Sequence, residues 1–158
     1  MSTADPKRDF LRHTLATLAY RGGKAVRHAP AEFADFQGAG RRPAQILAHV
    51  GDLLDWSLSM AQGKPKFVPS QPLTWEKEIT RFFSALQRFD DYLDSAELVH
   101  VPIEKLFQGP IADALTHVGQ IAMLRRMAGV PISGENYFVA DMVVGRVGAE
   151  QAAPKKEF

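Results

Sequence analysis

Three side chains of this sequence have the types and spacing of a metal site. Asp113 and His117 lie four residues apart in Asp113-Ala-Leu-Thr-His117. On a helix the carboxylate and imidazole then stack on one face, roughly 6 Å apart. Such a pair can share one ion, as the histidine pair of a zinc helix does. His49, within Ile46-Leu-Ala-His-Val-Gly51, falls at the edge of an apolar helical stripe, on the side of Leu53 and Trp56. Together the three offer two imidazole nitrogens and a carboxylate oxygen, and leave positions open for water or substrate. That donor set suits a divalent metal ion: Zn²⁺, Ni²⁺, Fe²⁺ or Mn²⁺. Each part also has a structural reading. A boundary histidine can be a hydrogen-bonded packing residue. An Asp–His pair can stabilise a helix with no metal, the more so if Asp113 stands near the helix start and meets the positive end of its dipole.

Composition removes the alternatives. The 158 residues include five histidines and no cysteine. A thiolate zinc site, an iron–sulfur cluster, a disulfide framework and a cysteine nucleophile are excluded together. Lys+Arg is 19 against 18 for Asp+Glu, a net charge of +1, so the basic footprint expected of a nucleic-acid binder is missing. No nucleophile elbow or Ser-His-Asp motif is present, and Gly22-Gly23 is not followed by the Lys-Ser/Thr of a phosphate loop. His13, His28 and His100 read as incidental.

Four helical segments must position the candidates. The first is expected from about Pro6 to Ala29, with Asp5 as N-cap and Pro6 at the first helical position. The second runs from Pro43 to Gln62 and ends at Gly63. The third runs from Leu73 to Leu98 with an aromatic inward face (Trp75, Phe82, Phe83, Phe89). The fourth opens at Gly109-Pro110 and stops at Gly129, with Val99–Phe107 before it extended or turn-like. Its apolar side takes in Ile111, Ala114, Val118, Ile121 and Met127. The Asn136–Gly145 segment suits a short helix or an extended cover equally. Asp52 and Asp55 read as a solvated face, and Arg125-Arg126 as cations at a helix C-terminus. The pattern predicts an all-α four-helix bundle with a short C-terminal extension, as residues 1–148 and a flexible polar tail, 149–158. No run of apolar residues marks a leader or a membrane span, so a cytoplasmic chain without membrane contact is expected.

A His in mid-helix 2 (Ile46-Leu-Ala-His49), followed by Thr116-His-Val-Gly-Gln-Ile121 on helix 4, resembles the DinB/YfiT-like superfamily. The longer run from Leu106 to Pro131 looks like one uncharacterised branch of it, and the similarity covers most of the chain. The resemblance implies an antiparallel four-helix bundle, often dimeric, with a divalent metal held by three histidines. It also implies chemistry on a small-molecule thiol, by a transferase or a related metal-assisted hydrolase. The helix-2 ligand matches His49 and the second helix-4 ligand matches His117. The first helix-4 ligand falls on Asp113, a departure that adds negative charge and hardens the set. The alternative is a bundle that has kept the fold, lost the metal and acts as a binding or interaction module. A homodimer formed through the aromatic face of helix 3 is a further expectation.

Overall fold

The computed structural model describes residues 5–158; the first four residues of the expected bundle domain lie outside the described part. The chain is an all-α helical bundle, and among the described residues there is no strand beyond one isolated bridge. No helix there is long and apolar enough to cross a membrane.

Helix α1 spans Pro6–Val26 and starts as its sequence dictates: the Asp5 carboxylate accepts the Lys7 N–H at 3.0 Å, and Pro6 opens the first turn. It ends three residues earlier than expected, and His28 beyond it takes a left-handed φ of 60°. Gly22 lies inside the helix for a packing reason. A Cβ there would sit 2.6 Å from Phe82 Cζ and 3.5 Å from Val118 Cγ2, so its absence lets three helices close together. Helix α2 spans Pro43–Ala61 and closes on Gly63 at φ +74°, a conformation glycine adopts without strain. Helix α3 spans Trp75–Asp94, shorter than expected at both ends.

The largest difference is in the last long helix. The residues before Gly109-Pro110 are helical, not extended: α4 spans Ile103–Leu106 and runs through a π turn, Phe107–Ile111, directly into α5, Ala112–Met127. Pro110 lies within the π turn. Proline has no N–H and its ring crowds the carbonyl one turn back. A widened turn is a way for a helix to absorb both defects without stopping.

Helix α2 packs against α3 and α5, and α1 packs against the same two. The seam between them is filled by Leu11, Leu15, Leu47, Leu54, Phe82, Leu86, Phe89, Ile111 and Ile121, all nearly inaccessible to solvent. Burying one such side chain contributes about 1.5–3 kcal/mol. Trp75, Phe82 and Phe89 belong to the chain's own core, and Phe83 is half-buried against it. Between α1 and α2 the chain makes a 3₁₀ turn, Ala31–Asp35, that buries Phe33.

The C-terminal tail is tied down. Phe158 N–H donates to the Gly134 carbonyl and Asn136 N–H to the Lys156 carbonyl, each at 3.0 Å. Between them the Glu135 carboxylate is fully buried and accepts from Tyr20 Oη at 2.5 Å and Lys24 Nζ at 3.3 Å. Those two partners lie on α1, one turn apart, so a polar clamp fixes the returning chain to the bundle. The Asn136–Gly145 segment is neither a full helix nor a strand; it holds one 3₁₀ turn, Tyr137–Val139.

Candidate metal centre

The three candidates come from two helices that the core holds side by side. His49 is on α2; Asp113 and His117 are on α5, just after the π turn, and that turn packs against α2. One ligand atom from each lies within 4.8 Å of the other two. Among the described residues they are the one group of three His, Asp or Glu side chains that could hold a metal ion.

The Asp113 carboxylate sits between the two rings. Its Oδ2 is 3.5 Å from His49 Nε2, and its Oδ1 is 3.3 Å from His117 Nδ1. Both separations exceed a good hydrogen bond. The imidazole centroids are 4.8 Å apart, with the rings inclined at 64°. His117 Nδ1 lies 2.7 Å from the Asp113 backbone carbonyl. That contact assigns the proton to Nδ1, as donor, and leaves Nε2 with a free lone pair. A backbone carbonyl fixing the tautomer in this way is the usual support for a metal-ligating histidine. Around a tetrahedral ion with ligands near 2.0–2.2 Å the donors stand roughly 3.3 Å apart. The widest separation here is about 1.5 Å greater than that, and the donor types fit a divalent cation.

Exposure grades across the group: the His117 side chain is 13% exposed, His49 22% and Asp113 45%. Burial pushes the His49 imidazole below its ordinary pKa. Neighbouring His117 and Arg41 push it the same way, against the opposing pull of Asp113. A neutral imidazole is the form that ligates metal. Phe67, from the α2–α3 connection, lies edge-on to His49 at 6.3 Å and to Trp56 at 5.8 Å, and so covers one side of the ring.

Comparison with known proteins returns no identification: no family model matches the chain, and none of the curated proteins or solved structures matches it either.

The geometry in and around the group corrects several roles expected from the sequence. Asp113 does not stand at a helix start, because Ile111 before it is itself helical and the π turn and α4 precede it. Dipole stabilisation at a free N-terminus therefore does not explain its presence. Asp52 is buried rather than solvated; its Oδ1 accepts from Arg81 Nη2 at 2.6 Å and Ser70 Oγ at 2.8 Å, and its Oδ2 from the Ser70 N–H at 3.0 Å. Asp55 joins the same network through Arg81 and Arg88. Arg125 is also buried, donating to the carbonyls of Ala25, Arg27 and Val130, and so ties the end of α5 to the end of α1. Met127, on the expected apolar side, is exposed.

Two residues beside the group escape sequence reasoning. Arg41 lines the clefts on both sides of it, and Phe67 covers His49. Neither belongs to a periodic segment. The one hint for Arg41 is its place in a basic pair directly before Pro43.

Proposed function

We propose that this chain is a DinB-like divalent-metal protein in which His49, Asp113 and His117 hold one ion. The observation that carries the reading is their convergence, from two helices and a sequence separation of more than sixty residues, to within 4.8 Å. Zn²⁺, Ni²⁺, Fe²⁺ and Mn²⁺ all suit two imidazoles and a carboxylate. When bound, such an ion supplies Lewis acidity that favours the ionised form of a coordinated water or thiol near neutral pH. A thiol would be a small-molecule co-substrate, because the chain has no cysteine of its own. The reaction class is thiol transfer or a related metal-assisted hydrolysis.

The chain's own residues set the rest. The Asp113 carbonyl holds the His117 ring by its Nδ1–H, and the Asp113 carboxylate faces both rings. A cleft of about 520 Å³, lined by His117 and Gln120, gives a small molecule access.

The second reading, a bundle without catalysis, has one observation in its favour. The Asp113 carboxylate lies between the two imidazoles, 3.5 Å from His49 Nε2 and 3.3 Å from His117 Nδ1, as it would in a purely structural triad. Metal analysis separates the two. Protein without a histidine tag is incubated with Zn²⁺, Ni²⁺ or Mn²⁺, desalted and assayed for bound metal. About one equivalent is expected, as for a preformed three-ligand site; less than about a tenth of an equivalent with all three ions would leave the structural reading standing.

A further inference from the structure

Arg41 stands two residues ahead of α2 and is exposed. Its neighbours are engaged: Arg42 pairs with Asp35, and Arg81 pairs with Asp52 and Asp55. Among the described residues Arg41 makes no ion pair and no side-chain hydrogen bond, although its charge bears on His49. It is also a wall of two separate clefts. One, of about 520 Å³, contains His117. The other, of about 210 Å³, contains His49. A free guanidinium therefore stands where both openings meet the candidate metal centre.

The larger cleft has polar and apolar members. Arg41, His117 and Gln120 are polar, and Ile46, Met123 and Leu124 are apolar. Met123 is 54% exposed, so part of the apolar lining has no cover from the chain itself. A ligand matching these features has an anionic end, an apolar body and a reactive group that reaches the imidazoles. One guanidinium presents a planar fork that fits a carboxylate by two parallel hydrogen bonds. A phosphate dianion carries twice the charge that one guanidinium neutralises.

We propose that Arg41 is the docking group for a small organic carboxylate whose apolar body lies on Ile46, Met123 and Leu124, with its reactive end at His49, Asp113 and His117. The substrate of the proposed metal centre then belongs to the carboxylic acids. This step rests on the metal reading for the reaction, but not for the binding.

The test is an NMR titration of the full isotope-labelled chain with hexanoate and with hexanamide, its neutral counterpart, each with and without Zn²⁺. Hexanoate is expected to bind at least about tenfold more tightly than hexanamide, with shifts at the Arg41 Nε–H and the Met123 methyl. Arg41→Gln removes the preference and Arg41→Lys retains part of it, while metal uptake is unchanged in both. If the chain takes up no metal but the acid preference persists and depends on Arg41, the docking role stands and the metal reading falls. If metal binds and the amide binds as well as the acid, or Arg41→Gln keeps the preference, the docking role is overturned. It is equally overturned if hexanoate gives no saturable shift in either form.

Discussion

Helix α2 carries two charged clusters one turn apart, and they are built in opposite ways. At Asp52 the carboxylate is buried, and both its oxygens accept short bonds from Arg81 and Ser70. That cluster bridges α2, α3 and the connection between them, and its strong bonds are made within the chain. At His49 the nearest carboxylate oxygen is 3.5 Å away and the partner ring is inclined at 64°; the group borders two clefts, the smaller of which it shares with Asp52 and Ser70. That cluster leaves the Asp113 carboxylate without a close partner from the chain and half-exposed, so its bonding capacity is open to solvent or a ligand. Acidic and basic residue types occur in both. What separates a structural tie from a candidate site is how far its bonding capacity is already used.

The contrast can be broken by deleting the clusters one at a time. His117→Ala should weaken Zn²⁺ binding by at least about a hundredfold, near 3 kcal/mol, read by competition with a chromophoric chelator. The urea unfolding free energy of the metal-free variant should shift by only about 1 kcal/mol, because the ring's one short hydrogen bond goes to a carbonyl of its own helix. A stability loss as large as the affinity loss would make the triad a structural tie like its neighbour.

Asp52→Ala should do the reverse. It leaves the Ser70 amide and part of the Arg81 guanidinium without a partner, and should cost about 2 kcal/mol in urea unfolding. Metal uptake should stay at the wild-type level. Coupled loss of both properties would mean that the α2–α3 tie sets the site's geometry, and the division into two clusters would not hold.

The smallest effect is a pH dependence confined to the His49 cluster. The folded-state pKa of His49 lies below the ordinary histidine value, chiefly through burial. As pH falls through the ordinary value the unfolded chain takes up the proton first. The unfolded state then binds more protons, so the stability of the metal-free chain is full above that pH and declines as pH falls toward the folded-state pKa. His49→Gln should flatten this part of the profile when urea midpoints are compared between neutral and mildly acid pH. An unchanged slope would assign the titration to another group.

Much of this arrangement is legible in the sequence, and what is not legible has a common cause. The extent of α2 follows from Pro43, an apolar stripe and Gly63, all local signals. The pairing of Asp113 with His117 follows from helical spacing alone. Choosing His49 as their partner rests on its place at the edge of the α2 apolar stripe, which turns it toward the facing helices of a bundle. Asp52 reads as solvated because its partner Arg81 lies on another helix, and nothing local marks the contact. Tyr20, Lys24 and Glu135 hold the tail for the same kind of reason: the clamp joins residues more than a hundred positions apart. The start of the last helix is hidden because Gly109-Pro110 is ordinarily a breaker, whereas here the helix widens around it.

That widening has a consequence for how the protein can change. A π turn is in effect one extra residue that a helix has absorbed without breaking. It offsets the angular phase of everything before it by about 100° from everything after it. Ile103–Leu106 and the Asp113–His117 face are thereby indexed separately, although one continuous rod carries both. Removing a single residue from Phe107–Ile111 would restore a common phase. Either the short segment ahead or the carboxylate–imidazole pair behind would then have to turn away from its present neighbours. The spacing of this five-residue insert is thus a register setting for the candidate centre, held by chain length and not by any side chain that touches it.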